Sequence, residues 1–196
     1  MQRIIYNIDE GKKFGTWNDS ISKLMYFDCM DKFLIDIDTS GRVADYGGAN
    51  GNLKQFIPNS ISIDIDSSKN PDLIDNILVH EGNYNLIVIR YVLHYLDENQ
   101  RNELFEHLRT FHSGKRVLII QFVNDGKDFN VKRNNSINET KYFLTSETLQ
   151  KTIESFKTLK NDEITYMVTK EFYRNRLNNH NAEEHSETIK SILIEI

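Results

Sequence analysis

The stretch Arg42–Leu53, RVADYGGANGNL, decides how the rest of the chain is read. It begins apolar, reaches an acid at Asp45, and then places Gly47, Gly48 and Gly51 within five residues. An apolar run that stops at glycines reads as a buried strand entering a tight turn, where the backbone can approach a ligand closely. Two phosphate-binding patterns can be tested by register. A dinucleotide fingerprint, G-x-G-x-x-G, starting at Gly47 needs glycines where Ala49 and Asn52 stand. Starting at Gly48 it needs them at Asn50 and Leu53. No Gly-Lys-Ser/Thr follows, so the P-loop pattern fails as well. Asp45 adds a physical objection, because an acid at the mouth of such a loop opposes an anionic pyrophosphate. It suits a ligand with a cationic end.

Outward from this stretch, strands and helices alternate. Ile21, Leu24, Met25, Met30, Phe33 and Leu34 recur at helical spacing, with Asp19 or Ser20 able to cap. GNLKQFI reads as a short helix ending before Pro58, SISIDID as a strand, and YNLIVIR as a strand covered on both faces. DENQRNELFEHLRTFH is the clearest helix. Asp97 and Gln100 form a capping-box pair, and Leu104, Phe105, Leu108 and Phe111 supply the apolar stripe. KRVLIIQFV is the next strand and TSETLQKTIESF a capped helix. Segments at about 163–174 and 185–196 read as an antiparallel hairpin around NNHNAE. Residues 1–18 show no clear periodicity. The pattern predicts a single-domain α/β protein with an open, mostly parallel sheet, helices on both faces and a C-terminal antiparallel hairpin. Within 1–196 it divides into an N-terminal helical lid or extension (1–38), a core (40–160) and the hairpin (161–196). Ligands of such sheets collect at the strand carboxyl ends. Here these are Asp45–Gly51, Asp64–Ser67 and Arg90–His94.

Bulk properties narrow the function. With 196 residues and a net charge of -5, the chain shows no broad basic face for nucleic acid. Cys29 is the only cysteine, which rules out an intramolecular disulfide and argues against a thiolate metal site; no metal is expected. The N-terminus lacks the basic-then-apolar order of a secretion signal, and NLIVIRYVLHYL is too short to span a membrane. A cytoplasmic protein is expected. Tyr166 and Lys170 match the Tyr-x-x-x-Lys spacing of short-chain dehydrogenases. With nine tyrosines and fifteen lysines, chance alone gives roughly 0.7 such pairs.

VADYGGANG resembles motif I of the class I (Rossmann-like) S-adenosylmethionine-dependent methyltransferases, an apolar pair followed by Asp-x-Gly-x-Gly-x-Gly. Asp45, Gly47 and Gly51 match, and Ala49 replaces the middle glycine. ISIDIDSS is similar to the family's second motif, PDLIDNI to its third region, and YNLIVIRYVLHYLDE to its fourth, with Asn85 in place of the usual acid. LRTFHSGKRVLII and KYFLTSETLQKTI resemble the later strand and helix. The resemblance covers roughly residues 40–160.

That resemblance implies a seven-stranded sheet whose last strand is antiparallel, and S-adenosyl-L-methionine as cofactor with S-adenosyl-L-homocysteine as product. It implies cofactor contacts at Asp45, Gly47, Gly48, Ala49 and Gly51, at Asp64 and Ile65 for the ribose and its surroundings, and at Asp75 and Asn76 for the adenine. It implies further cofactor contacts at Arg90 and Tyr91, at the end of the fourth strand. His94 is either a general base for a hydroxyl or amine, or a packed residue that shapes the pocket. Trp17, Asn124, Tyr173, Arg174 and Arg176 are candidates for substrate contact. The family's Asn/Asp-Pro-Pro-aromatic motif and the Pro-Cys pair of cytosine C5 methylation are absent. A small-molecule acceptor, methylated on oxygen or nitrogen, is therefore expected. An RNA methyltransferase is the rival, favoured by the excess of +2 over 127–141. A catalytically inactive binder of the cofactor with a regulatory role is the reading outside enzymes.

Overall fold

The computed structural model describes residues 3–7, 29–123, 144–168 and 185–196. Among the described residues, eight strands form one sheet. They are β1 (Arg3–Asn7), β2 (Val43–Tyr46), β3 (Ser60–Asp64), β4 (Leu73–Ile74), β5 (Leu86–Arg90), β6 (Arg116–Val123), β7 (Lys157–Val168) and β8 (His185–Glu195). Their spatial order is β1-β7-β8-β6-β5-β2-β3-β4. Strand β8 runs antiparallel to β6 and β7, and the other pairings are parallel. The seven expected strands are all present. The eighth, β1, pairs in parallel with β7 at the sheet edge. Residues 3–7 therefore belong to the sheet, and the expected helical extension does not begin at the N-terminus. An edge strand with one paired side needs no strong apolar alternation, which is why its sequence carried no signal.

Burial alternates with period two, as a sheet covered on both faces requires. Ala44, Tyr46, Ile87, Ile89, Val117 and Ile119 face helices α1 (Glu98–Phe111) and α2 (Ser146–Ile153), which contribute Leu104, Phe105, Leu108, Leu149 and Ile153. Val43, Leu86, Val88, Leu118 and Ile120 face the other way. There they meet Cys29, Met30 and Phe33 of the helical residues 29–33, and Leu53 and Ile57 of the segment after the glycines. That segment is a single 3-10 turn, Asn52–Gln55, shorter than an α-helix.

The strongest helix has the expected start. Asp97 Oδ1 accepts from Gln100 N at 2.9 Å, and Gln100 Oε1 accepts from Asp97 N at 3.0 Å. Its apolar stripe differs at one position. Phe111 is half-exposed beside His107, while Arg101 is buried and donates to Leu96 O. Arg101 caps the carbonyls of the preceding turn, so its charge is paired although it lies on the inner side. The final hairpin is longer at its base than expected, because β7 starts at Lys157, three residues after α2 and its Glu154 cap. Among the described residues, no helix is long and apolar enough to cross a membrane.

The topology fixes where the sheet opens a crevice. From β2 the chain runs outward through β3 and β4, then returns to the other side of β2 as β5. The carboxyl end of β2 is therefore the switch point of the sheet, where outgoing connections on the two sides leave a crevice. Gly47–Gly51 leaves β2 at that point.

Candidate cofactor site

The glycine loop is closed on itself. Gly47 N donates to Ile63 O at 2.8 Å, Gly48 N to Asp45 O at 3.1 Å, and Gly51 N to Gly48 O at 2.9 Å. Ala49 N donates to Asp64 Oδ2 at 3.0 Å. A phosphate cradle needs such N–H groups turned toward the ligand. Here those of Gly47, Gly48, Ala49 and Gly51 are consumed within the loop and on β3, which agrees with the failed fingerprints. Two glycines are required by geometry. Gly47 has φ +68°, and a Cβ there would lie 2.3 Å from Val92 Cγ2. Gly48 has no room, since a Cβ would sit 2.7 Å from Asp45 O.

Ala49 has φ +45°, so a side chain occupies a backbone region that glycine adopts without cost. The loop keeps its shape because Asp64 holds the Ala49 amide. The other departure from the family pattern, Asn85, lies at the amino end of β5, remote from the crevice. Its Oδ1 accepts from Arg42 N at 2.9 Å, a role in which an amide oxygen serves as well as a carboxylate.

Asp45 is not an open charge. Its side chain is 1% exposed and is gripped by Arg90, with Nε to Oδ1 at 3.0 Å and Nη2 to Oδ2 at 2.6 Å. Burial raises the Asp45 pKa well above the ordinary carboxylate value, and the charge of Asp64 adds to this. Burial also lowers Arg90, to about 10, so the guanidinium stays charged at neutral pH and pairs with the acid. The expectation that Asp45 attracts a cationic ligand is corrected: its partner is already supplied by the chain. For the same reason Arg90 is built into the floor of the crevice. Tyr91, next in sequence, has φ +54°, a strained position for a large side chain. Its ring stacks on Phe122 at 4.5 Å and its hydroxyl meets Cys29 Sγ at 3.4 Å. It packs toward the helical residues 29–33.

The neighbouring strand ends carry different chemistry. Asp64 closes β3 and accepts from Ala49 N and, at 2.9 Å, from Asp66 N. Ile65 follows it and is 71% exposed. Asp64 pairs in register with Ile74, itself 65% exposed, and Asp75 N donates to Asp64 O at 3.1 Å. Asp75 and Ile65 thus stand side by side just past the strands. Asn76 lies half-buried in the following turn, where its Oδ1 accepts from Leu78 N. Asp72, the other acid in this stretch, is structural: it accepts from Ser62 N at 2.8 Å, Ser62 Oγ at 2.9 Å and Lys54 Nζ. Burial opposes its ionisation, but these hydrogen bonds outweigh it and hold the carboxyl below its ordinary value.

His94 lies in the 3-10 turn Leu93–Tyr95 after β5. Gln121 Nε2 donates to His94 Nδ1 at 3.1 Å and also to Phe122 O at 3.2 Å. Turning the amide would set two carbonyl oxygens together, so the donor must face the ring. The neutral imidazole then carries its proton on Nε2. Nothing in the sequence pointed to Gln121 as the residue that sets this tautomer; it faces His94 only because β5 and β6 are neighbours. Trp17, Asn124, Tyr173, Arg174 and Arg176 lie outside the described residues.

Three outcomes test this geometry. Asp45→Ala strands the Arg90 charge and is expected to cost about 3–5 kcal/mol in urea unfolding, most of which Arg90→Met in the same chain restores. Ala49→Gly is expected to be neutral or to stabilise by up to about 1 kcal/mol, whereas Gly47→Ala costs about 2–4 kcal/mol. A destabilising Ala49→Gly contradicts the strained loop. The depressed pKa of Asp72 makes its contribution complete above the ordinary carboxylate value and lost as pH falls through the folded one. The stability difference between wild type and Asp72→Asn is therefore expected to be largest near neutral pH and to shrink below about pH 4.

No known family profile matches the sequence, and no curated protein matches it. Solved structures do match. TehB from Haemophilus influenzae superposes with a TM-score of 0.58 at 14% identity, over 86% of this chain and 61% of that one. The chain thus spans about three-fifths of the length of TehB. A SAM-dependent methyltransferase from Anabaena variabilis gives 0.60 at 15% identity, over 91% and 86%. Magnesium protoporphyrin IX methyltransferase (ChlM) from Synechocystis PCC 6803, solved with S-adenosylmethionine bound, gives 0.55 at 13%, over 87% and 79%. The strand order, the switch-point glycines and these superpositions agree: the chain has the class I S-adenosylmethionine-dependent methyltransferase fold.

Proposed function

We propose that the crevice binds S-adenosylmethionine and that the protein transfers its methyl group to a small-molecule acceptor on oxygen or nitrogen. The observation that carries this reading is the pairing of an inward-turned glycine loop with two adjacent strand-end carboxylates. The loop leaves no cradle for a pyrophosphate. Asp64 and Asp75 can accept from ribose hydroxyls and an adenine amino group, and exposed Ile65, beside Asp75 in the register, offers an apolar surface for the ring. An adenosine without phosphate fits that set. In this reading the backbone at Gly48 and Ala49 would border the cofactor's amino-acid end.

The bound cofactor supplies an activated methyl group on a sulfonium. What the chain supplies is alignment of the acceptor behind that methyl, opposite sulfur, which is chiefly a proximity effect. With its Nδ1 held by Gln121, the His94 ring is fixed in the turn after β5. In this reading it shapes the acceptor side of the crevice rather than taking a proton. The candidate substrate residues Trp17, Asn124, Tyr173, Arg174 and Arg176 complete the proposal. Support for a small acceptor comes from two fold neighbours. Coclaurine N-methyltransferase, bound to N-methylheliamine and S-adenosylhomocysteine, matches with a TM-score of 0.60 at 9% identity. Magnesium protoporphyrin IX methyltransferase is the other.

Thermal unfolding with S-adenosylmethionine, S-adenosylhomocysteine, NAD or no ligand tests the binding half. Both S-adenosyl compounds are expected to raise the melting temperature, with about 2.7 kcal/mol of stabilisation at a hundredfold excess over Kd, and NAD is expected to leave it unchanged. Asp64→Asn should weaken binding about tenfold or more. No shift with either S-adenosyl compound at millimolar concentration removes the proposal. Binding without methyl release, across a panel of small hydroxyl and amine acceptors, would favour the inactive regulatory binder.

A further inference from the structure

A polar cluster around His80 lies beneath the strand-end carboxylates. His80 is 7% exposed and Tyr84 2% exposed. His80 Nδ1 lies 2.7 Å from Asp75 Oδ2, and His80 Nε2 lies 2.9 Å from the Tyr84 hydroxyl. The His80 carbonyl accepts from His107 Nε2 at 2.8 Å and from the Tyr46 hydroxyl at 3.4 Å. Arg42 covers the Tyr84 ring, 5.2 Å from its centroid. Transfer of a methyl group makes no use of any of these groups. The cluster does, however, reach the surface at the end where a ligand would lie through Asp75, whose side chain is 46% exposed against 8% for His80.

The hydrogen bond between His80 and Asp75 has one consistent direction. The His80 hydrogen bond, and after it the Asn76 amide, hold Asp75 below the ordinary carboxylate range, so Asp75 only accepts. His80 Nδ1 must then be the donor, and Nε2 is held by its hydrogen bond with the Tyr84 hydroxyl. Asp75 Oδ1 accepts from Asn76 N at 2.7 Å. Both oxygens are tethered, yet each keeps acceptor capacity for one more donor. A free surface carboxylate would lose rotamer entropy on receiving a ligand, and this one has lost it already. Tyr46 is the last residue of β2, directly before Gly47. The same cluster therefore ties the Asp75 loop to the strand that launches the glycine loop.

We infer that His80 is a positioning residue that aims the Asp75 carboxylate at the exocyclic amino group of an adenine lying over Ile65. This rests on the adenosine-binding reading above. It adds that discrimination between a 6-amino and a 6-oxo purine is set by a buried histidine that never touches the ligand. His80→Phe fills the space but removes the donor. His80→Asn keeps an N–H near the Nδ1 position.

The experiment compares affinities for S-adenosylhomocysteine and S-inosylhomocysteine, in which oxygen replaces the 6-amino group. Wild type is expected to prefer the adenosine compound. In His80→Phe the preference falls about tenfold, in His80→Asn it is largely retained, and in Tyr84→Phe it falls by a smaller factor. A role limited to folding weakens both ligands alike and leaves the ratio unchanged. That result in both His80→Phe and Tyr84→Phe overturns the positioning role while leaving the adenosine site intact. Equal wild-type affinity for the two nucleosides overturns it as well. If wild type binds neither, the adenosine reading itself fails and this inference falls with it. Should His80→Phe not fold, Tyr84→Phe decides alone, since it loses only a hydroxyl.

Discussion

The ion pair between Asp45 and Arg90 is the contact around which the crevice is organised. It joins the ends of β2 and β5, the two strands between which the sheet reverses its direction of winding. A parallel sheet leaves a gap there because the outgoing connections diverge. The guanidinium closes the bottom of that gap with two hydrogen bonds, and the Asp45 carbonyl receives the Gly48 amide above it. A buried pair of this kind gives little net stability over a well-packed apolar pair, because both charges have left water. Its effect is positional, since either charge alone would be costly to bury. The loop is therefore held at one place relative to β5.

This pairing changes the electrostatic character of the site. An acid at the end of a strand suggests a cation-seeking pocket when read in one dimension. With the guanidinium in place Asp45 is already paired, and the other two strand-end carboxylates are Asp64 and Asp75. Neither needs to meet a positive charge. Both are acceptors beside exposed apolar side chains, an arrangement suited to hydroxyl and amino groups on a flat ring. The glycine loop supports the same conclusion, because its amides are spent on Ile63, Asp45, Asp64 and Gly48.

The two departures from the family pattern have different physical weight. Ala49 sits where the backbone is left-handed, so its methyl group carries a conformational cost that Asp64 offsets through the Ala49 amide. Asn85 is at the opposite end of the sheet and performs the acceptor role its position requires. One is a local strain beside the ligand site. The other is a substitution without consequence for it.

The alternation of apolar runs and capped helices was enough to place the core strands and both major helices. Period-two burial and side-chain caps are local properties, written within a few residues. The failure of the phosphate fingerprints was equally legible, since it is a matter of spacing. Strand β1 was not legible, because an edge strand is defined by its partner β7, distant in sequence. The same holds for the site. Asp45, Asp64 and Asp75 could be picked out as strand-end acids, but their roles could not be assigned from the chain. Arg90 is 45 residues from Asp45, and Gln121 is 27 from His94. Only the sheet order brings these pairs within hydrogen-bond reach, and a charge or a tautomer is decided by what lies within that reach. The sequence by itself determined which residue types end the strands. The tertiary structure decided which of them are already satisfied and which remain open to a ligand, because hydrogen bonds and ion pairs form between neighbours in space.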